Sequence, residues 1–303
     1  MTVTLPPPPA DVVEAPPAAA RARRAPLPPS TALASSVLMS LTALAVWTVL
    51  FLLVFGALTE QHAQQIRFGK FRAELAQATA PTGPTGFGKP VALMSIPQLD
   101  LADAVVVEGT SSSELQEGPG HRRDSVLPGQ SGTAVIYGKA VSFGAVFGGI
   151  RDLRPGSTIQ FTTGQGLSSY TVTGVRRPGD PMPPALQAGQ GRLTLVTAEG
   201  PGWRNSFAPT SVVYVDATLV GQGKPAASVL PVVGKEELPM QGRSDALLTL
   251  VLWLQLLLLA SIGAVWLRAR WGGWQAWIVT VPVVLAVALF ATESGSQLLP
   301  NLF

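Results

Sequence analysis

The sequence predicts a membrane-anchored chain with one small all-β domain, a sandwich or barrel, set between membrane-spanning α-helices. Three observations predict it. Charged residues make up only 13% of the 303 residues and hydrophobic ones 47%, whereas a soluble domain carries about 25% charged residues. Three apolar runs, Ala32 to Leu58, Ala246 to Leu267 and Trp274 to Ala291, are of a length to cross a bilayer. Between the first and second, residues 88–221 are a succession of short β-branched segments separated by Gly, Pro and Ser clusters.

Residues 1–31 carry PPPP, APPAAA and APLPPS with almost no aromatic side chains, too little apolar surface to build a core, and read as an extended tail. Arg21, Arg23 and Arg24 then precede the first apolar run, 32–58. No Ala-x-Ala-like cleavage site follows it closely, so the run reads as a retained anchor. Over 59–87 the spacing of Ile66, Phe68, Phe71 and Leu75 among Arg67, Lys70, Arg72 and Glu74 predicts an amphipathic helix, lying on lipid or on the next domain. Pro81-Thr-Gly-Pro-Thr-Gly86 closes it as a linker.

Within 88–221 the expected strands are Val91 to Ile96, Ala104 to Glu108, Thr133 to Tyr137, Thr158 to Thr163, Ser169 to Arg176, Arg192 to Thr197 and Ser211 to Val220. Residues 222–245, with Pro225, Pro231 and Pro239, read as an extended linker back to the membrane. The runs 246–267 and 274–291, separated only by Arg268-Ala-Arg-Trp-Gly-Gly273, form a helical hairpin, with Pro282 bending its second arm, and 292–303 reads as a tail. The positive-inside rule puts Arg21 to Arg24 in the cytoplasm and, independently, Arg268 and Arg270 there as well. Three spans satisfy both, with the N-terminus cytoplasmic and the β-domain and C-terminus outside the plasma membrane. Gln255 is unfavourable against lipid, so it is expected to face another helix or a partner, beside the small residues Ala260, Ser261, Gly263 and Ala264.

Zero cysteines excludes disulfides, thiolate catalysis and Cys-ligated metal. Two histidines, His62 and His121, leave little for a metal site or a Ser-His-Asp arrangement, and no cofactor or metal is expected. A formal charge of +3 calls for no nucleic-acid partner.

The β-domain carries a series of short motifs in order. Ile96-Pro97 with Leu99 and Leu101 opens it, and Val105 to Gly109 follows. Leu115 precedes Gly118-Pro119-Gly120-His121, Leu127-Pro128-Gly129-Gln130-Ser131-Gly132 leads into Thr133 to Gly138, and Phe147 precedes Leu153-Arg-Pro-Gly156. Tyr170-Thr-Val and Leu193 to Thr197 complete the set. Each is weak alone; together, behind a membrane anchor, they resemble the sortases, the extracytoplasmic cysteine transpeptidases of Gram-positive bacteria, and most nearly the actinobacterial class E type.

The resemblance implies a closed barrel of about eight strands and a site built from three groups: a cysteine, a histidine and an arginine. On this chain those positions read Ala198, Lys139 and, near the start of the last strand, Ser211. Arg204 is the nearest guanidinium in sequence. Removing the nucleophile deletes the covalent intermediate, so the expectation is a pseudoenzyme. An engineered Cys-to-Ala trap would account for Ala198 alone; the changes at 139 and at the arginine point to natural divergence. The vestigial groove is expected around Lys139, Ala198, Glu199, Trp203 and Arg204, with Lys139 and Glu199 placed to pair. Met182, Pro183, Pro184, Trp203 and Phe207 border it and can fill it, and His121 falls in a noncatalytic turn as a structural or exposed residue.

Three functions follow as expectations. The first is a non-catalytic accessory or scaffolding subunit that docks on another integral membrane protein, in contact with lipid. The second is an extracytoplasmic receptor for sorting-signal-like peptides that does not cleave them. The third is a residual hydrolase using Lys139 with a hydroxyl from Ser142 or Ser206.

Overall fold

The structure, a computed structural model, describes Leu38, Thr42 and residues 45–200, 209–271 and 273–303. The expected tail 1–31 lies outside the described residues, as does the loop 201–208 with Trp203, Arg204, Ser206 and Phe207. Within residues 1–45, Thr42 Oγ1 donates to Leu38 O at 2.9 Å, the back-bond of a hydroxyl inside a helix. Residues 46–303 form one compact unit.

Helix α1 (Ala45–Ala76) is continuous, with a π-turn at Phe51–Phe55. The expected division between a span ending at 58 and a separate amphipathic helix is therefore not seen. No proline interrupts the chain until Pro81, so nothing stops the helix where its composition changes from apolar to mixed. Its last turns pack on the barrel instead of lying free: Phe71 is fully buried with Ala80, Leu93 and Val105, and Phe68 and Leu75 pack against that cluster. Gln64 imitates a strand neighbour there. Its Oε1 accepts from the Val105 N–H at 2.7 Å and its Nε2 donates to Val105 O at 3.1 Å and Glu117 O at 2.8 Å.

Eight strands close a barrel in the order β1-β2-β3-β4-β7-β8-β6-β5. They are β1 (Pro90–Ile96), β2 (Leu101–Glu108), β3 (Gly120–His121), β4 (Gly132–Tyr137), β5 (Thr158–Thr163), β6 (Gly166–Arg176), β7 (Gly191–Glu199) and β8 (Ser211–Leu219). A one-turn helix, α2 (Ser112–Leu115), lies between β2 and β3. The pairs β2/β3 and β4/β7 are parallel and the others antiparallel. Closure leaves no open edge. The barrel is filled by Val91, Met94, Ile136, Phe161, Tyr170, Leu193, Leu195 and Val215 among others, all at or near zero exposure. β3 has only two residues, and Gly120 is what lets it fit: a Cβ there would stand 2.2 Å from Gly109 O.

Helices α3 (Ala246–Trp271) and α4 (Gly273–Ser296) form the hairpin, and α1, α3 and α4 are each long and apolar enough to cross a membrane. Trp253 and Phe290 stack between α3 and α4 with centroids 4.8 Å apart, and Trp47 Nε1 donates to Thr292 Oγ1 at 3.0 Å between α1 and α4. Gln255 is exposed on α3.

The segments on either side of the hairpin are bound, not loose. Residues 222–245 form a strap: Lys224 exchanges main-chain bonds with Gly129 and Ser131, each at 2.9 Å, and Thr110 Oγ1 donates to Glu237 O at 2.8 Å. The expected tail 292–303 instead continues α4 to Ser296 and then folds under the barrel. Arg243 N donates to Gln297 O at 2.9 Å, and Gln116 Nε2 to Ser296 Oγ at 3.0 Å.

Candidate functional site

The parallel pair β4/β7 sets the site. Its register runs from Gly132 opposite Gly191 to Tyr137 opposite Val196. One step further, Gly138 N donates to Val196 O at 3.0 Å and Thr197 Oγ1 donates to Gly138 O at 2.8 Å. The strands are thus still tied as they deliver Lys139 and Ala198 to the same end of the barrel. Gly138 is required by a close approach: a Cβ would meet the Phe147 ring at 2.5 Å. Across β7, Ala198 stands opposite Val212 and Glu199 opposite Ser211 on β8.

Lys139 is 1% exposed. Burial alone pushes its ammonium pKa down to about 7. Its Nζ lies 5.3 Å from the centre of the Phe143 ring and donates to the main-chain oxygen of Phe303 at 3.2 Å. Ser142 Oγ donates to that same oxygen at 2.6 Å. The turn that brings these donors together places Phe143, Gly144 and Ala145 successively at positive φ (50°, 77° and 48°). For the two non-glycine residues this region costs about 1–3 kcal/mol each.

The occupant is the chain itself. Ala140 N donates to Leu302 O at 3.0 Å, and Phe303 N to Pro300 O at 2.9 Å, so residues 300–303 enter as a turn. Leu302 is fully buried in a cluster with Leu115, Tyr137, Val196, Ala198 and Val212. Asn301, also fully buried, donates through Nδ2 to Thr110 O at 2.8 Å and Leu238 O at 3.0 Å, while its N–H reaches Gln241 O at 2.9 Å. The expected plug of Met182, Pro183 and Pro184 does not form: Met182 is 77% exposed.

Glu199 does not pair with Lys139. Arg177 takes it in a bidentate clasp, with Nε to Oε2 at 2.7 Å and Nη2 to Oε1 at 2.8 Å, and these hydrogen bonds hold the Glu199 carboxyl below the usual carboxylate range. Arg177, just past β6, is thus the partner of Glu199, which spacing along the sequence missed. Ser211 contributes no charge there, and Trp203 and Arg204 fall outside the described residues.

What this arrangement can do follows from its donors. Two donors converge on one main-chain oxygen, the geometry that stabilises negative charge on a carbonyl. Ala198, at the position expected from the sequence for a nucleophile, presents only a methyl group, 3% exposed. Among the described residues no group of histidine, aspartate and glutamate is placed to hold a metal ion.

A second constellation, Glu108, His121 and Ser125, has the outward form of a catalytic triad. His121 Nδ1 lies 3.1 Å from Glu108 Oε2, and Ser125 Oγ 3.2 Å from His121 Nε2. Hydrogen-bond accounting excludes the role. Nε2 is also 2.9 Å from Val126 O, which can only accept, so Nε2 carries a proton and cannot take one from the serine. Ser125 Oγ donates to Arg122 O at 2.7 Å and accepts from Val135 N at 3.1 Å. The three residues tie β2, β3 and β4 together, and of the two readings left for His121 the structural one holds.

Residues 94–219 match the family model described as the sortase domain. Among solved structures, the chain is similar to sortase E from Streptomyces avermitilis, with 28% identity over 45% of this chain and 91% of that one and a TM-score of 0.36. It is also similar to a sortase from Actinomyces oris (23% identity, 52% and 97% covered, TM-score 0.41) and to sortase A from Corynebacterium diphtheriae (21%, 52% and 84%, TM-score 0.38). No curated protein matches the chain. The family model is matched from the middle of β1 to the end of β8, so the region of this chain that is similar to the sortase domain is the barrel.

Proposed function

We propose that this protein is a non-catalytic sortase-domain protein of the plasma membrane, serving as an accessory or scaffolding subunit of a cell-envelope membrane complex. Its N-terminus is cytoplasmic and its barrel extracytoplasmic. The observation that carries the reading is the filled groove: Leu302 packs into one apolar cluster with Ala198, and the main-chain oxygen of Phe303 holds the Lys139 ammonium. A chain without a thiol, whose groove is occupied from within, keeps its outer surfaces for work. Gln255, exposed in the middle of an otherwise apolar α3, supports a partner within the membrane, because a polar amide facing hydrocarbon is unfavourable. Purification from the native host in mild detergent tests this. A stoichiometric membrane partner, lost in Gln255→Leu, is the expected result; a clean monomer with no partner would overturn it.

The second reading, a peptide receptor that does not cleave, is favoured by one observation. Lys139 and Ser142 together bind the main-chain oxygen of Phe303. Titration with sorting-signal-like peptides tests it, and no binding at millimolar concentration removes it for the closed form.

A further inference from the structure

The contacts at the barrel mouth have the character of ligand recognition more than of ordinary core packing. The chain leaves α4 at Ser296 and reverses in a turn closed by the bond from Phe303 N to Pro300 O. One aliphatic side chain, Leu302, fills the pocket over Ala198. Almost everything else is main-chain recognition: Ala140 N to Leu302 O, Asn301 N to Gln241 O, and the two donors on Phe303 O. Asn301 adds two bonds to carbonyls of Thr110 and Leu238. A lysine buried with the main-chain oxygen of Phe303 as the acceptor for its Nζ is costly to desolvate. It is explained if the mouth must hold a segment that is added to the barrel and not part of it.

We infer that the pocket formed by Lys139, Ala140, Ser142 and Ala198 is a binding site for a Pro-Asn-Leu-Phe turn, that residues 300–303 are its resident ligand, and that a partner segment of the same chemistry exchanges with them. The ligand class is a tight peptide turn with an aliphatic residue for the pocket and a main-chain oxygen following it. The site thereby couples the membrane hairpin to the barrel: when the turn is seated, α4 is tied to β4 through Ala140 and Lys139, and when a partner turn replaces it, that tie is released. The inference rests on the non-catalytic reading of the same site.

The test uses the full chain in detergent micelles and, as probe, a labelled peptide Leu-Leu-Pro-Asn-Leu-Phe, the sequence of residues 298–303. A variant lacking 299–303 and the full-length Leu302→Asp should each bind it at least about tenfold more tightly than the unaltered chain, because the competing resident is gone. A probe with aspartate in place of its penultimate residue, the counterpart of Leu302, should not bind, and Lys139→Ala in the opened variants should lose the gain. Equal binding to opened and unaltered chains, or no binding to an opened chain whose barrel still melts cooperatively, overturns the inference. Should both opened variants fail to fold, amide exchange on the unaltered chain decides. The Ala140 and Asn301 amides should exchange faster than those of Ile136 and Leu195 by local opening; exchange as slow as the barrel core overturns it. Partner co-purification is scored separately, so a failed peptide titration with the partner retained removes this inference and leaves the accessory reading standing.

Discussion

The Lys139 ammonium donates a hydrogen bond to the main-chain oxygen of Phe303, 164 positions later in the chain, at 3.2 Å. This contact decides how the mouth of the barrel is read. At the end of the parallel pair β4/β7, this chain presents a buried amine and a methyl group to its own final turn.

The Lys139 pKa lies at about 7 in the folded chain against an ordinary 10.5, because burial disfavours the charged form. Between these values the unfolded chain binds more protons than the folded one, so this group makes stability rise with pH from about 7 towards 10.5 and leaves its full cost in place below 7. Lys139→Met should remove that slope and, at neutral pH, stabilise the barrel by about 1–4 kcal/mol, as replacement of buried charges by apolar residues often does. Thermal unfolding measured at several pH values checks it; an unchanged slope in the methionine variant would contradict the assignment.

Asn301 is held by two bonds from Nδ2 to the buried carbonyls of Thr110 and Leu238. Asn301→Ala takes the Asn301 donor from Thr110 O and leaves Leu238 O with only the 3.3 Å bond from Gln241 N, and should cost about 1–3 kcal/mol. The loss should appear as faster protease cleavage after α4, with the barrel still folded. A variant as protease-resistant as the parent would show that the turn is held by Leu302 alone.

The pair His121 and Glu108 is buried on both sides, at 3.1 Å. His121→Ala strands the Glu108 carboxyl in the interior and should cost about 3–5 kcal/mol, while Glu108→Leu combined with His121→Leu should recover part of it. Chemical denaturation of the single and double variants gives the comparison. A double variant whose loss equals the sum of the two single losses would mean that the two residues act independently.

The barrel was legible because its turn chemistry is local. Gly118 and Gly129 stand at positive φ in the GPGH and LPGQ turns, as only glycine does readily, and the β-branched runs between turns alternate or fill the interior. β3 escaped as a strand because two residues carry no period. The ends of α1 and α4 escaped because composition changes where backbone conformation does not. Lys139 and Ala198 could be placed at one end of the barrel from motif order, since Lys139 lies just past β4 and Ala198 lies in the last two residues of β7. Arg177, Ser142 and Phe303 could not, because their roles depend on where β6 ends, on a turn with consecutive left-handed residues, and on a contact across most of the chain. The one local hint was Pro300, which stops α4 within reach of the barrel.

Because the chain has no cysteine, one introduced thiol can be followed without background. In Ala198→Cys the sulfur would sit where the methyl is 3% exposed beneath Leu302, beside Val212. A water-soluble maleimide should therefore modify it slowly in the unaltered background and at least about tenfold faster when Leu302→Asp opens the turn, in proportion to the population of the open form. The same Ala198→Cys protein should show no transpeptidation of sorting-signal peptides, since Lys139 is a buried amine and not an imidazole base, and a thiol in apolar surroundings is raised away from its thiolate form. Rapid labelling of Ala198→Cys with Leu302 intact would mean that the mouth stands open in solution, and with it would go both the filled-groove argument and the resident turn.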